Sequence, residues 1–181
     1  MTVPGEAHVE FFRGIRNPVG VKVGPDTSPQ RLLDLLAALN PSDEPGKIVI
    51  IHRFGAHAIG KSLPALVAAV QSARRRVLWT CDPMHGNTVT APNGRKTRRF
   101  DDIVNEIAGF VRAHNAEGTW PGGIHIELTG DDVTECTGGG HSITNDDLDM
   151  RYQTICDPRL NGRQSLDLAF RVAELIRGAN A

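Results

Sequence analysis

The chain has 181 residues, which suits one domain, and 40% hydrophobic with 23% charged residues is ordinary for a soluble globular protein. Its net charge of -1 gives no electrostatic basis for binding nucleic acid or an anionic membrane. No apolar run approaches the ~20 residues that span a bilayer, and "MTVPGEAHVEFF" lacks a basic n-region followed by an apolar h-region, so the sequence predicts a cytoplasmic protein.

The predicted elements run in this order. A weak helix pattern covers 5–15, and "PVGVKVGP" (18–25) reads as a Val-rich strand closed by Gly-Pro. Over 28–41, Ser28 is a good N-cap, Pro29 suits the first helical position, and leucines recur at helical spacing until Asn-Pro. "KIVIIHRFG" (47–55) is a continuous β-branched run, which predicts a strand buried on both faces. A helix over 62–76 should place its arginines in the last turn, where they favour the dipole. "RVLWTCD" (76–82) is the third strand. After a polar loop comes a strongly amphipathic helix over 99–118, then a strand over 122–130. A polar segment rich in Gly, Thr and Asp leads to "YQTICDPRLN" (152–161), and a helix over 165–178 ends the pattern.

Strands alternating with helices predict an α/β fold with parallel strands and helical crossovers. Lys22, Arg53, His85 and Glu127 all fall in or just after the C-terminal half of a strand. In parallel α/β folds the ligand site lies at those ends, so this recurrence is the main physical hint of function.

Each candidate has a plainer reading. A lone loop histidine is usually solvated, but His85 stands at a strand end, after Asp82-Pro83 and before Gly86-Asn87, a turn open to a ligand. Glu127 alternates with Ile124, Ile126 and Leu128 in "IHIELTG", sharing a face with His125; it is either a site residue or part of the wet face of an edge strand. Asp157 in "CDPRLN" could be a simple turn starter. Together, His85, Glu127 and Asp157 form a mixed N/O set of the kind that suits Mn²⁺, Co²⁺, Zn²⁺ or Fe²⁺. Lys22 and Arg53 interrupt apolar runs, and a phosphate or carboxylate substrate matches them better than a structural acid. "GRKTRR" (94–99) could add a phosphate contact, though a charge run is usually a solvated loop. Cys81, Cys136 and Cys156 have no CxxC spacing and read as reduced thiols, more often small buried hydrophobes than nucleophiles. No Rossmann fingerprint or Walker loop is present, and "TGGGHS" fits neither.

The motifs "NPVGVKVGP", "DPMHGNT", "GRKTRRFD", "PGGIHIELTG", "VTEC" and "YQTICDPRLN…QSLDLAF" resemble, in order and spacing, the C-terminal half of class II (plant-type) 3-deoxy-D-arabino-heptulosonate 7-phosphate (DAHP) synthase, from about residue 5 onward. The resemblance implies a single domain over 1–181 that forms half of a TIM-type (β/α)₈ barrel, with about four parallel strands. It implies a metal-dependent condensation of phosphoenolpyruvate with erythrose 4-phosphate, the first step of the shikimate pathway. By the same resemblance His85, Glu127 and Asp157 are metal ligands, with Mn²⁺ expected first. Lys22 and Arg53 are catalytic residues that hold phosphoenolpyruvate.

The family's enzymes are longer. Their preceding half carries a cysteine metal ligand, a Glu-Arg motif for phosphoenolpyruvate and most of the aldehyde site. Within "HRFGAHAIGKSLP" the family usually has basic residues near Ala58 and Gly60; Lys61 is the residue here that could compensate. A half barrel would leave open strand edges, so a homo-oligomer or an N-terminal-half polypeptide is the expected partner. The alternative function is a non-catalytic truncated homologue that binds metal or phosphoenolpyruvate, or associates with a full-length paralogue.

Overall fold

The computed structural model describes residues 5–140 and 142–179; His141 of "TGGGHS" lies outside them. The elements are α1 (Ala7–Arg13), β1 (Val19–Val23), α2 (Pro29–Leu39), β2 (Ile48–His52), α3 (Ile59–Ser72), β3 (Leu78–Cys81), β4 (Thr88–Thr90), β5 (Lys96–Arg98), α4 (Phe100–Ala116), β6 (Gly123–Ile124) and α5 (Gly162–Ala179). The strands β1, β2, β3 and β6 form one parallel sheet in that order. Helical crossovers link the strands and a helix follows them, which is the arrangement of a partial barrel. Among the described residues no helix is long and apolar enough to cross a membrane.

Burial shows how the sheet is covered. Along β1, Val19, Val21 and Val23 are buried, while Gly20 and Lys22 between them are exposed. Val21, Ile50 and Trp79 are in register on neighbouring strands, and all three are buried. They share the core with Leu32, Leu35 and Leu36 of α2, Leu63 and Leu66 of α3, and Ile107 and Phe110 of α4. Burying each such side chain contributes about 1.5–3 kcal/mol. The helices therefore cover one face of the sheet, and the opposite face carries Gly20, Lys22, Ile51 and Leu78.

Several expectations are corrected by this one-sided arrangement. β2 alternates buried and half-buried positions instead of being buried on both faces. Lys22 and Arg53 are exposed, not buried cations in apolar strands. The strand expected over 122–130 is regular only at Gly123–Ile124; its ladder resumes at a single parallel bridge, Leu128 to Leu160. Ile124, paired with the buried Cys81 on the edge strand, and Leu128 beyond it are exposed.

The basic run "GRKTRR" is not a solvated loop. Its Lys96–Arg98 form β5, paired antiparallel with β4; Arg98 is fully buried, while Arg95, Lys96 and Arg99 stay exposed. α3 ends at Ser72, before its arginines, which therefore lie outside the last turn; Arg74 has φ 51°. α3 starts earlier than Ser62 because the amides of Ala58 and Ile59 both donate to the Gly55 carbonyl, each at 3.1 Å. Cys81 and Cys136 are buried and Cys156 is exposed, all three as free thiols.

Two histidines sit in the core between sheet and α4. Burial lowers the His52 imidazole to a pKa of about 3, with nearby His114 adding to the effect, and burial lowers His114 to about 4, both from an ordinary 6.5. Between those values the unfolded chain binds more protons, so this stability is complete above pH 6.5 and lost as the pH falls. Glu106 acts oppositely: burial raises it to about 7 from 4.5, outweighing its hydrogen bonds, so its contribution falls as the pH rises. The two histidines outweigh it. The urea midpoint should fall from pH 6.5 to 4, and His114→Gln should flatten that fall. Equal slopes for the two proteins would contradict the assignment.

Candidate metal and anion site

Lys22, Arg53 and His85 lie at the carboxyl ends of β1, β2 and β3, Glu127 follows β6, and Asp157 comes from the loop that precedes α5. His85 follows β3 in a short 3₁₀ turn (His85–Asn87). Asp82, fully buried at the end of β3, fixes that turn by accepting the backbone N–H of Met84 and of His85. Its oxygens also face the His85 Nδ1 at 3.0 and 2.8 Å. A carboxylate on Nδ1 selects the tautomer with Nδ1–H donating, which leaves Nε2 as a bare acceptor. Burial alone would raise the Asp82 carboxyl, but hydrogen bonds from Lys22 and His85 hold it down at about 2.

The His85 Nε2 points at two carboxylates, with Glu127 Oε1 at 3.4 Å and Asp157 Oδ2 at 3.9 Å. The ligand atoms of the three residues lie within 4.8 Å of one another, and all three side chains are half-buried. Three lone-pair donors aimed at one point repel each other unless a cation lies between them, so the donor set fits a divalent metal.

Polar anchors hold the two carboxylates in place. The buried Arg98 donates through one terminal nitrogen to Glu127 and to the Pro158 carbonyl, and through Nε to Thr88 Oγ1 at 2.9 Å. Lys96 Nζ lies 3.3 Å from Asp157 Oδ1. The loop carrying Asp157 is pinned by Glu135, which is fully buried and accepts the N–H of Gln153, Thr154 and Arg159 at 3.2, 2.8 and 2.8 Å. Burial would raise this carboxyl, but the paired Arg159 guanidinium lowers it.

Lys22 donates to Asp82, so its partner is a structural acid and not only a ligand-to-be. It thereby reaches the same carboxylate that orients His85. Arg53 is exposed just past β2, its backbone N–H bonded to the Val23 carbonyl at 2.9 Å, and among the described residues no acid lies within ion-pair distance of its guanidinium. The sequence reading missed Arg98, Glu106 and Glu135. Glu106 had a visible signal, because it interrupts the apolar stripe Ile103, Ile107, Phe110 of α4.

A second group, His52, Cys81 and Glu106, is wholly buried behind the first, its ligand atoms also within 4.8 Å of one another. Burial keeps the Cys81 thiol well above its ordinary pKa. The Glu106 oxygens face the N–H donors of Phe54 and Asn87. The carboxylate is thus engaged with both loops.

The fold and this geometry define a class: a partial-barrel α/β protein with an N/O donor cluster and adjacent cations at its strand ends. The profile of the class-II DAHP synthetase family matches residues 2–173, and the chain belongs to that family. It is similar to the phospho-2-dehydro-3-deoxyheptonate aldolase of Streptomyces coelicolor, 56% identical over 171 residues that cover 94% of this chain and 38% of the relative. The corresponding enzyme of Mycolicibacterium smegmatis is 50% identical over 171 residues, covering 94% of this chain and 37% of that protein. That of Neurospora crassa is 52% identical over 173 residues, 94% of this chain and 36% of that protein. The chain thus spans less than two fifths of the length of these relatives.

Proposed function

We propose that residues 1–181 act as one domain that supplies the metal site and part of the phosphoenolpyruvate site of a DAHP synthase. The reaction is the condensation of phosphoenolpyruvate with erythrose 4-phosphate, at the head of the shikimate route to chorismate and the aromatic amino acids, in the cytoplasm. The observation that carries this reading is the convergence of His85 Nε2, Glu127 and Asp157, with His85 oriented by Asp82.

His85, Glu127 and Asp157 hold a divalent cation, Mn²⁺ first and Co²⁺, Zn²⁺ or Fe²⁺ as substitutes. The cation supplies Lewis-acid polarisation of the aldehyde oxygen. Arg53 and Lys22 bind the phosphate and carboxylate of phosphoenolpyruvate, where fixed cations orient the substrate without reorganising during reaction. Asp82 joins the two halves of the site, since it holds Lys22 on one side and His85 on the other. The fourth ligand and the remaining substrate contacts belong to the part of the relatives that this chain does not span.

The test is complementation in vitro. The chain is mixed with a polypeptide covering the preceding part of the S. coelicolor relative, with Mn²⁺ and both substrates, and phosphate release is followed. Release from the mixture but from neither piece alone is expected. A mixture of folded pieces that releases nothing would count against the reading.

A second reading is favoured by the apolar side chains exposed on the first and last elements, Phe11 and Phe12 on α1 and Leu166 and Phe170 on α5. These suit association with a second copy or with a full-length paralogue, by a homologue that binds metal and phosphoenolpyruvate without turnover. Binding of both ligands with no phosphate release in any mixture would select it.

A further inference from the structure

Glu106 lies among the apolar residues of α4, with no exposure to solvent. A carboxyl group there is costly unless hydrogen bonds replace its water. Its Oε1 accepts the Phe54 N–H at 2.8 Å, and its Oε2 accepts Asn87 Nδ2 at 2.7 Å. Asn87 is also buried. Its Nδ2 donates to the Pro83 carbonyl at 2.8 Å, and its Oδ1 accepts the Ala56 N–H at 2.9 Å. Two buried side chains thus satisfy backbone groups in both site loops, the one after β2 and the one after β3.

The same loops touch backbone to backbone. Gly55 has φ 82°, and a Cβ placed on it would meet the Gly86 carbonyl oxygen at 2.6 Å. Only glycine permits this approach. Arg53 immediately precedes Phe54, and His85 immediately precedes Gly86. The last register pair between the two strands is His52 with Cys81. Past it, the strands no longer fix the spacing of the loops.

We infer that Glu106, acting through Asn87, is a positioning residue that sets the Arg53 loop against the His85 turn. The role rests on the reading of these loops as the anion and metal parts of one site. The carboxylate touches neither group itself. It fixes the backbone from which each projects, and so links the two parts from behind the sheet.

The test uses the full chain, ¹⁵N-labelled, as wild type, Glu106→Ala, Glu106→Gln and Asn87→Ala. Amide exchange is read at Phe54 and Ala56, the His85 ring resonances are recorded, and each protein is titrated with Co²⁺. Loss of the bonds should speed exchange at Phe54 in Glu106→Ala, and at Ala56 in Asn87→Ala, by roughly tenfold. Both variants should shift the His85 ring resonances, while the α2 amides stay as in wild type. Glu106→Gln keeps an acceptor for Phe54 and should restore its protection. Unmoved His85 resonances in a folded Glu106→Ala or Asn87→Ala chain would overturn the inference and leave Glu106 as core structure alone. If Glu106→Ala does not fold, Asn87→Ala decides. A wild-type chain that fails to bind Co²⁺ refutes the metal reading instead, and the exchange and ring data still decide the positioning role.

Discussion

Arg98→Ala should lose about 3–5 kcal/mol of stability and disorder the His85, Glu127 and Asp157 cluster together with the core. Arg98 is fully buried at the end of β5, and its side chain serves three partners: Glu127, the Pro158 carbonyl and Thr88 Oγ1. Truncation leaves a cavity and removes the hydrogen-bond partner of the Glu127 carboxylate, which faces a second carboxylate across His85. Truncating one member of a buried pair costs more than the pair contributes, because the other charge stays behind unpaired. Urea unfolding measures the stability, and amide exchange at Thr129, whose N–H bonds the Leu160 carbonyl, reads local release. An Arg98→Lys chain should recover only part of the loss, since an ammonium cannot present the same planar fork of donors. An Arg98→Ala midpoint within experimental error of wild type would show that the guanidinium is not holding this corner of the site.

Asp82→Asn should weaken metal binding by about 10–100-fold without unfolding the chain. The substitution preserves size but removes the charge that holds Lys22 and selects the His85 tautomer. With an amide at this position, the His85 ring has no carboxylate to fix which nitrogen carries the proton. The Nε2 acceptor that faces Glu127 and Asp157 is then only partly populated. Lys22 also loses its partner and is free to swing. The same variant should therefore alter phosphoenolpyruvate affinity along with metal affinity. A change in only one of them would separate the two halves of the site that Asp82 is argued to join.

The parallel sheet was legible in the sequence because its strands carry Val- and Ile-rich runs at regular intervals, with helical stripes between them. The strand-end positions of Lys22, Arg53 and His85 followed from the same pattern. Glu127 lies past the short regular part of its strand, so the alternation rule that placed it with His125 described an edge more open than expected. The residues that hold the site were less legible for a physical reason. Arg98 belongs to a cluster of basic residues, and composition alone cannot tell which guanidinium turns inward. Its burial depends on Glu127 and Pro158, which are 29 and 60 positions away. Glu135 likewise acts on a loop 18 to 24 residues further along. Glu106 was the exception, since a glutamate inside an apolar helix stripe already signals a buried partner. The two-faced burial expected for β2 failed because helices cover only one side of the sheet, and no local pattern states how many layers a sheet will have.

The proposed function requires that this chain by itself bind a metal through His85, Glu127 and Asp157, beside Lys22 and Arg53. Calorimetric titration of Mn²⁺ into the purified chain, with and without phosphoenolpyruvate, tests it most directly, with His85→Ala as the control. One Mn²⁺ per chain is expected, with tighter binding when phosphoenolpyruvate is present and loss of the site in a His85→Ala chain whose circular dichroism matches wild type. Mn²⁺ binding that is absent in the wild type, or unchanged in His85→Ala, would contradict it.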